Sequence, residues 1–262
     1  QVHFKSSPFG RQSHGYNANN AFLLHLHGER VFLRTGRRDV YGSPHHKQWM
    51  WSTKSDNAIL VNGKGQPPHS AGATGAITAF YTSAQLDAVV GEAGASYSNL
   101  NRWSRRILFF KPHTVVIHDL LEAPEPSTYQ WLLHAPDEFA LRDGGARWTG
   151  GPGTADVAFI YPDGLELTQT GEFETPPHEW ANFELDEWHL TAATTEKAAR
   201  QQFLTVVRLE NAKTTVDAEK TPAGFRLRVA QPEGETTVTS TDAAVTLQRG
   251  DFEKRLPTPD GA

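Results

Sequence analysis

The chain is built mainly from short segments in which apolar and polar residues alternate, and turn-forming residues interrupt them about every ten positions. Each such segment predicts a β-strand, because successive side chains of a strand point to opposite sides. Two hairpins stand out, namely "NAFLLHLHGERVFLRTG", with its tip at Gly28-Glu29, and "RRILFFKPHTVVIHDLLEA", which turns at Lys111-Pro112-His113. This pattern is typical of a large sandwich of antiparallel sheets.

Further strands follow from the same pattern. The stretch "NAILVNGKGQ" predicts a strand that ends in an Asn-Gly turn, and "TYQWLLHAPDEFALRD" predicts a pair of strands. Later strands are expected in "DVAFIYP", "FLTVVRLE", "GFRLRVA" and "TTVTST". The best helix candidate is "SAQLDAVVGEA", residues 83–93, although a strand suits it almost as well. We therefore expect an all-β fold, with one large antiparallel β-sandwich over residues 1–256 and a loose tail over residues 257–262.

Composition and charge exclude several classes of protein. The 262 residues suffice for one large domain or two small ones. A net charge of −5 gives no general attraction to nucleic acid or to an anionic membrane surface, so neither is an expected partner. No apolar run approaches the roughly 20 residues of a membrane span. The absence of cysteine excludes disulfides and thiolate metal sites. The single methionine is Met50, so we expect a processed product or a piece of a longer protein.

The polar chemistry is concentrated in residues 1–60, and we expect the functional site there. The stretch "SPFGRQSHGYNANNAF" places His14, Tyr16 and several asparagines directly before the first apolar strand. His14 and Tyr16 are two residues apart and would share one edge of an extended chain. Asn19 and Asn20 either bind a ligand or satisfy the backbone of their own loop.

Basic residues cluster just after the first predicted hairpin, in an otherwise acidic chain: Arg34, Arg37, Arg38, Lys47 and Lys54. Guanidinium groups hold carboxylates and sulfates through two parallel hydrogen bonds, so this cluster suggests an anionic ligand. The alternative is a solvated face, in which Arg34 pairs with Asp39 or Asp56.

Aromatic and imidazole side chains accompany these cations in "SPHHKQWMW". A tryptophan such as Trp49 beside cationic groups offers a stacking face for a sugar ring, while polar side chains bind the hydroxyls. The alternative is a loop packed onto the sandwich, with Trp49 and Trp51 partly buried. His45 and His46 are adjacent and would point in opposite directions on a strand, so we expect them to act separately unless they lie in a loop.

Other histidines allow two interpretations. His25 and His27 share one face of the predicted hairpin and either bind a metal or line a solvated surface. His134, within "QWLLHAP", is by itself more consistent with a buried core histidine. The sequence contains no serine-hydrolase elbow, phosphate-binding loop or zinc-protease motif.

In their order along the chain, these stretches resemble the C-terminal β-sandwich region of the heparinase II/III-like polysaccharide lyases. The resemblance covers roughly residues 3–136 and is carried by "FKSSPFGRQSHGYNANNAFLLHLHGER", "RTGRRDVYGSPHHKQWMWSTKSDNAILVNGKGQ", "RRILFFKPHTVVIHDLLEA" and "YQWLLHAP". It implies an N-terminal α/α toroid outside this chain, with an acidic polysaccharide in the cleft between toroid and sandwich. It also implies β-elimination at a uronic acid and a periplasmic or secreted location.

The resemblance also assigns the site. It places the catalytic histidine of the sandwich at His14, the first histidine of the family's usual His-x-His-Ala-Asp-x-Asn pattern, and it makes Tyr16 a possible acid or base. The elimination requires a group that neutralises the uronate carboxylate, a base for the C5 proton and an acid for the leaving oxygen. We therefore expect substrate to be bound by the following polar and aromatic residues: Asn19, Asn20, Arg34, Arg38, His45, His46, Lys47, Trp49 and His134.

The sequence departs from the family at its metal site. Where the pattern has its second histidine and its aspartate, this chain has Tyr16 and Ala18. Many members hold a metal, often zinc, and the corresponding places here are Tyr16, Arg34 and Asp56. We therefore expect no metal cofactor, and an Arg34–Asp56 ion pair with the Tyr16 hydroxyl in its place.

Three functions remain open from the sequence. The first is the sandwich part of a polysaccharide lyase, active together with the toroid. The second is a non-catalytic carbohydrate-binding β-sandwich that has lost the lyase site. Hydrolysis is less favoured, because it needs two carboxylates across the cleft, and Glu29, Asp39 and Asp56 show no pairing by their spacing.

Overall fold

A computed structural model describes residues 1–10, 16–181, 183, 185–210 and 212–258. The strands of this described chain are, in order, β1 Val2–Lys5, β2 Ala21–Leu26, β3 Glu29–Phe32, β4 Ile59–Val61, β5 Ala76–Thr82, β6 Leu86–Glu92, β7 Arg102–Phe110, β8 Thr114–Ser127, β9 Tyr129–Ala135, β10 Phe139–Arg142, β11 Gly145–Gly150, β12 Gly153–Tyr161, β13 Glu166–Thr170, β14 Trp188–Ala193, β15 Ala198–Leu209, β16 Thr215–Thr221, β17 Gly224–Gln231, β18 Gly234–Thr241, β19 Ala244–Arg249 and β20 Phe252–Pro257. Short helical segments are a π-helix at His45–Met50 and 3₁₀ turns at Thr53–Ser55, Gly94–Ser96 and Glu179–Ala181. Among the residues described, no helix has the length and apolar character needed to cross a membrane.

Four antiparallel sheets form three layers. The central layer is an eight-stranded sheet in the order β10-β11-β12-β15-β8-β7-β6-β5. One of its faces is covered by the five-stranded sheet β16-β17-β18-β19-β20. The other face is covered by the three-stranded sheet β1-β2-β3 and the four-stranded sheet β13-β14-β9-β4. The predicted all-β antiparallel sandwich is confirmed, with a third layer that the prediction did not include.

Both faces of the central sheet are buried, and the molecule therefore has two hydrophobic cores. Along β8, Val115, Ile117 and Leu121 face the core under the two smaller sheets, whereas Val116 faces the core under the five-stranded sheet. A strand that is buried on both faces has a nearly continuous apolar sequence. This explains the run "TVVIHDLL" in β8.

The hairpin turns follow the predictions with one shift. Strands β2 and β3 are joined through His27 and Gly28, whose φ angles are 52° and 87°, so the tip lies one residue earlier than the expected Gly28-Glu29. Two consecutive positive φ angles are typical of a type I′ turn, whose twist matches that of the flanking strands. The predicted turn at residues 111–113, between β7 and β8, is confirmed.

Three details of the prediction are wrong. Of the two interpretations of "SAQLDAVVGEA", the helix is wrong and the strand is confirmed as β6, because Leu86, Ala88 and Val90 alternate into the core under the five-stranded sheet. The expected strand pair in "TYQWLLHAPDEFALRD" separates into β9 and β10, which pair within different sheets. The loose tail begins later than expected, since Pro257 ends β20 and Thr258 is buried. The rest of the predicted tail lies outside the described residues.

A buried ion pair connects neighbouring strands of the central sheet. Arg105 on β7 donates to both carboxylate oxygens of Asp119 on β8, at 2.7 Å from Nε and 3.0 Å from Nη2, and both side chains are completely buried. Trp103 and Trp131 donate their indole N–H groups to the same carboxylate, at 2.8 and 3.0 Å. These hydrogen bonds satisfy a charge that would otherwise be costly to bury.

The same arginine sets the position of the polar loops near the N-terminus. Its remaining terminal nitrogen, Nη1, donates to the carbonyls of Asn20 and Asn57, each at 2.8 Å. Asn20 directly precedes β2, and Asn57 lies two positions before β4. Arg105 of the central sheet therefore fixes the last residues of the two loops that lead into β2 and β4.

Candidate functional site

The segment that carries His14 lies outside the described residues, but the chain on both sides of it is described. Asn17 Nδ2 donates to the carbonyl of Gly10 at 3.3 Å, which brings the two ends of the segment close together. Lys5 Nζ donates to the carbonyl of Tyr16 at 2.8 Å. The predicted catalytic role of His14 stays a prediction, and the base of its segment is held by these two bonds.

The asparagines that follow hold the loop. Asn19 is 1% exposed, and its side chain accepts from Ser7 N at 2.9 Å and donates to Ser96 Oγ at 2.8 Å. Asn20 is completely buried and donates to the carbonyl of Gly91 at 3.1 Å. The expectation that Asn19 and Asn20 bind substrate is corrected, because burial keeps both side-chain amides out of reach of a ligand on the surface.

Tyr16, Arg34 and Asp56 meet in one three-residue cluster. Arg34 Nε lies 3.0 Å from Asp56 Oδ1, which confirms the expected ion pair. The guanidinium carbon of Arg34 lies 3.8 Å from the centroid of the Tyr16 ring. The tyrosine therefore contacts the cation through the face of its ring, where the π-electrons attract a positive charge, and not through its hydroxyl as expected.

Burial determines the charge state of Asp56, which is only 3% exposed. Burial raises the pKa of Asp56 to about 6, although the positive charges of Arg34 and Lys5 act in the opposite direction. A carboxyl group with this pKa is ionised at neutral pH and takes up a proton in mild acid. The three-residue cluster therefore contains a charge that responds to pH.

A segment from the second half of the chain lies against this region, and we call residues 171–187, in their described parts, the strap. Glu187 Oε2 accepts from Gly36 N at 2.6 Å, and Asp39 Oδ2 accepts from His178 N at 2.8 Å. These contacts join residues 151 and 139 positions apart. The strap therefore adds residues from the second half of the chain to a region in which the sequence predicted a site formed by residues 1–60.

Rings from the π-helix pack around one residue of the strap. The ring centroid of Phe173 lies 5.3 Å from His45, 5.1 Å from Trp49 and 4.8 Å from His189. His45 Nδ1 donates to the carbonyl of Thr175 at 2.6 Å. Trp49 is only 5% exposed, so the expectation of an open stacking face on Trp49 is corrected. The alternative interpretation, a loop packed onto the sandwich, describes this tryptophan.

His134 and His189 form a buried pair on the neighbouring strands β9 and β14. Their Nδ1 atoms are 3.1 Å apart, so one ring donates and the other accepts. Burial lowers the pKa of His189 to about 4. Burial, and secondly His189, hold the pKa of His134 well below its usual value. Both rings are therefore neutral at neutral pH. The register of the two strands pairs His189 with His134, so both side chains lie on the same face of the sheet.

These rings border a groove of about 660 Å³ on the outer face of the four-stranded sheet. The polar side chains that line it are Lys54, Gln130, His134, Thr168, Gln169, Thr170, Glu172, Glu174, His189 and Thr191. Lys54 forms an ion pair with Glu174 of the strap, so its charge is partly balanced. A groove with hydroxyl and amide groups beside aromatic rings suits a ligand that is rich in hydroxyl groups.

The two adjacent histidines face different surroundings within the π-helix. His45 contacts the strap, whereas His46 packs against Trp51 with 4.7 Å between the ring centroids. Both imidazoles are buried. In a strand, one of these two adjacent side chains would have pointed away from the core, but in the π-helix both are covered. Arg38 and Lys47 are exposed and remain available as candidate cations.

The histidines of the first hairpin do not converge on one point. His25 packs edge-on against His3 at 5.0 Å, whereas His27 lies in the turn and contacts Glu210 at 2.8 Å. Within the described ranges, no group of three or more histidine, cysteine, aspartate or glutamate residues is placed to hold a metal ion.

Comparisons with known proteins identify relatives of this fold. The model of the family described as "Heparinase II/III-like, C-terminal" matches residues 1–241. A heparan sulfate lyase from Pedobacter heparinus has a similar structure, with a TM-score of 0.69 and 14% identity, over 100% of this chain and 39% of that chain. A heparinase III gene product gives a TM-score of 0.70 with 14% identity, over 98% of this chain and 38% of that one. The chain thus spans about two fifths of the length of these solved relatives. No curated protein matches the chain.

Proposed function

Because the chain belongs to the heparinase II/III-like family, whose C-terminal model matches most of its length, we propose that it is the sandwich part of a polysaccharide lyase. The enzyme cleaves a polysaccharide that contains uronic acid, by β-elimination, and an α/α toroid from another segment or chain supplies the other wall of the cleft. The match of the family model over residues 1–241 is the observation that carries this proposal.

The chemistry of elimination gives the residues around Tyr16 their roles. The C5 proton of a uronate becomes acidic only when the charge of the neighbouring carboxylate is neutralised. His14 contributes to this neutralisation or to proton transfer, as the resemblance implies. Tyr16 is only partly buried and serves as an acid or base for the sugar. The cation Arg34, stacked on Tyr16, keeps the ring in one orientation.

The three-residue cluster does not fit the metal that many family members hold. A guanidinium group 3.0 Å from the single carboxylate of the cluster would repel a second cation. Tyr16, Arg34 and Asp56 instead join three chain segments through an ion pair and a cation–ring contact, and so replace the cross-link that a metal would provide. Stoichiometric zinc in the purified protein would contradict this proposal.

An acidic glycosaminoglycan is the proposed substrate class. The solved relatives include a heparan sulfate lyase, and the present chain exposes Arg38 and Lys47 near the site. Such cations pair with the carboxylates and sulfates of that class of polymer. A periplasmic or secreted location is proposed on the same basis.

Ultraviolet absorbance tests the reaction directly, because elimination creates a conjugated double bond. The full-length protein, with its toroid, is incubated with heparan sulfate, hyaluronan or alginate. We expect absorbance to rise with at least one substrate and expect His14→Ala to abolish the rise while circular dichroism stays unchanged. Undiminished turnover by a folded His14→Ala protein would remove His14 from the mechanism.

A second candidate is a carbohydrate-binding sandwich that has lost catalysis. The observation in its favour is that Tyr16 and Ala18 occupy the places of the family's second histidine and aspartate. Such a protein would bind an acidic oligosaccharide, as measured by calorimetry, without any increase in absorbance.

A further inference from the structure

Four rings beside the site form a ladder that is open to solvent at one end. The ring centroids of Tyr41 and His46 are 5.3 Å apart, those of His46 and Trp51 are 4.7 Å apart, and those of Trp51 and His69 are 4.3 Å apart. We call these four residues the ring ladder. Tyr41 is 75% exposed, and Trp51 and His69 are partly exposed, whereas the core residue Trp103 is completely buried. The ladder therefore belongs to neither hydrophobic core.

Hydrogen bonds hold the ladder in position before any ligand arrives. His46 Nδ1 accepts from Gly42 N at 2.9 Å, and Asn17 Oδ1 accepts from His69 N at 2.7 Å. His69 has a φ of 53°. Histidine adopts this left-handed conformation more often than most residues other than glycine, and the hydrogen bond to Asn17 holds the residue here. A surface organised in advance loses little conformational entropy when it binds a ligand.

The inner end of the ladder lies at the base of the segment that carries His14. Asn17 contacts both His69 and Gly10, through its Oδ1 and Nδ2 atoms respectively. Gly10 is the last described residue before that segment. The inner end of the ring ladder therefore lies beside Asn17 and Gly10, whereas its outer end, at Tyr41, is open to solvent.

Positive charges flank the ladder. The side chain of Lys47 lies beside Gly42, which follows Tyr41 at the outer end of the ladder. A Cβ atom placed on Gly42 would be 3.6 Å from Lys47 Cε. Burial, and secondly the positive charge of nearby Arg38, lower the pKa of the His46 imidazole. Asp39 also faces this ring and opposes the effect, but its carboxylate already accepts hydrogen bonds from within the protein. Aromatic faces beside exposed cations match a sugar that carries a carboxylate or sulfate.

We propose that the ring ladder is a stacking platform for an acidic sugar unit that neighbours the bond to be cleaved. Trp51 supplies the central stacking face and Tyr41 the outer one, while Arg38 and Lys47 bind the carboxylate or sulfate. This inference rests on the proposed function, because it names a surface that binds the polysaccharide of the proposed lyase.

Calorimetric titration with a heparan sulfate hexasaccharide tests the platform. The full-length protein carries His14→Ala in every case, so that the probe is bound without being cleaved. We expect Trp51→Ala to raise Kd about tenfold, and Tyr41→Ala to raise it about threefold, through loss of the stacking contacts. Phe80→Ala, at an aromatic residue that is 62% exposed and lies outside the ladder, serves as the matched control and leaves Kd unchanged.

Folding defects are separated from binding defects by a second variant. Trp51 is partly buried, so thermal unfolding of Trp51→Ala is measured alongside. If that variant fails to fold, Tyr41→Ala decides, since a largely exposed ring can be removed without a cavity. The inference is wrong if the folded ladder variants bind the hexasaccharide as tightly as Phe80→Ala does, or if none of the proteins binds it.

Steady-state kinetics distinguish failure of this inference from failure of the proposed function. With His14 intact, loss of a remote stacking contact raises KM and leaves kcat nearly unchanged. Elimination with an unchanged KM in Tyr41→Ala and Trp51→Ala would overturn the platform and leave the lyase assignment standing. Binding that depends on the ladder, without any ultraviolet-absorbing product from the unmodified protein, would overturn the lyase assignment and leave the platform standing.

Discussion

Replacement of Asp56 by asparagine tests how the buried charge of the three-residue cluster affects stability. The pKa of Asp56 is about 6 in the folded protein, against an ordinary value of 3.8. The folded state therefore holds the proton more tightly than the unfolded state does. The stabilisation that results is complete below about pH 4 and is lost as the pH rises through about 6.

The size of the effect follows from the two pKa values. The difference between about 6 and 3.8 is about two pH units, and each unit corresponds to about 1.4 kcal/mol, so the total is about 3 kcal/mol. Asparagine has nearly the same shape and does not titrate. The wild-type free energy of unfolding should therefore fall by about 3 kcal/mol relative to Asp56→Asn between about pH 4 and pH 7.

Urea unfolding at a series of pH values, followed by tryptophan fluorescence, measures this difference. Glu92 and Glu187 also have raised pKa values because of burial, but they titrate in both proteins and cancel in the comparison. Asp163→Asn, which makes the same chemical change at an exposed carboxylate, is the control substitution. A difference between wild type and Asp56→Asn that stays constant with pH would refute the reasoning. It would mean that Arg34 fully compensates the burial of this carboxylate.

Two further predictions concern buried groups. Arg105→Met leaves the buried charge of Asp119 without its partner and should lower the free energy of unfolding in urea by about 3–5 kcal/mol. The control Arg147→Met, in an exposed ion pair, should lower it by less than about 1 kcal/mol. Equal losses in the two variants would contradict the stabilising role of the buried pair. The pKa of His189 is about 4, below its ordinary 6.5, so its stabilising contribution should be lost as the pH falls through this window. Titration by NMR checks this, and an imidazole that titrates near its ordinary value would show that the pair with His134 is open to water.

The site could be predicted in part where residues close in sequence determine it. Arg34 was expected to pair with Asp39 or Asp56, because opposite charges in neighbouring loops attract. The structure selects Asp56, at 3.0 Å, and Asp39 instead accepts hydrogen bonds from Ser43 and His178. The sequence limited the candidate partners of Arg34 to two aspartates. The contact of Asp39 with the strap leaves Asp56 as the partner.

Burial was the property that the sequence predicted least well. Trp49 is covered because Phe173 of the strap packs against it, and residues 124 positions apart in the chain show no joint pattern that reveals this contact. The residues next to Asn19 in the sequence do not reveal whether its side chain faces a ligand or holds a loop. Its role depends on Ser96 and Ala73, which the fold brings to its amide group.

The sequence by itself determined the all-β character, most of the strands and the positions of the main turns, because alternation and turn chemistry act over a few neighbouring residues. Only the tertiary structure decided that β9 and β10 enter different sheets, that His189 lies beside His134, and that the strap lies against the π-helix. The physical reason is that the burial of one side chain depends on several segments of the chain at once. Whether a polar or aromatic side chain meets water, a ligand or the core depends on distant segments that compete to cover the same surface.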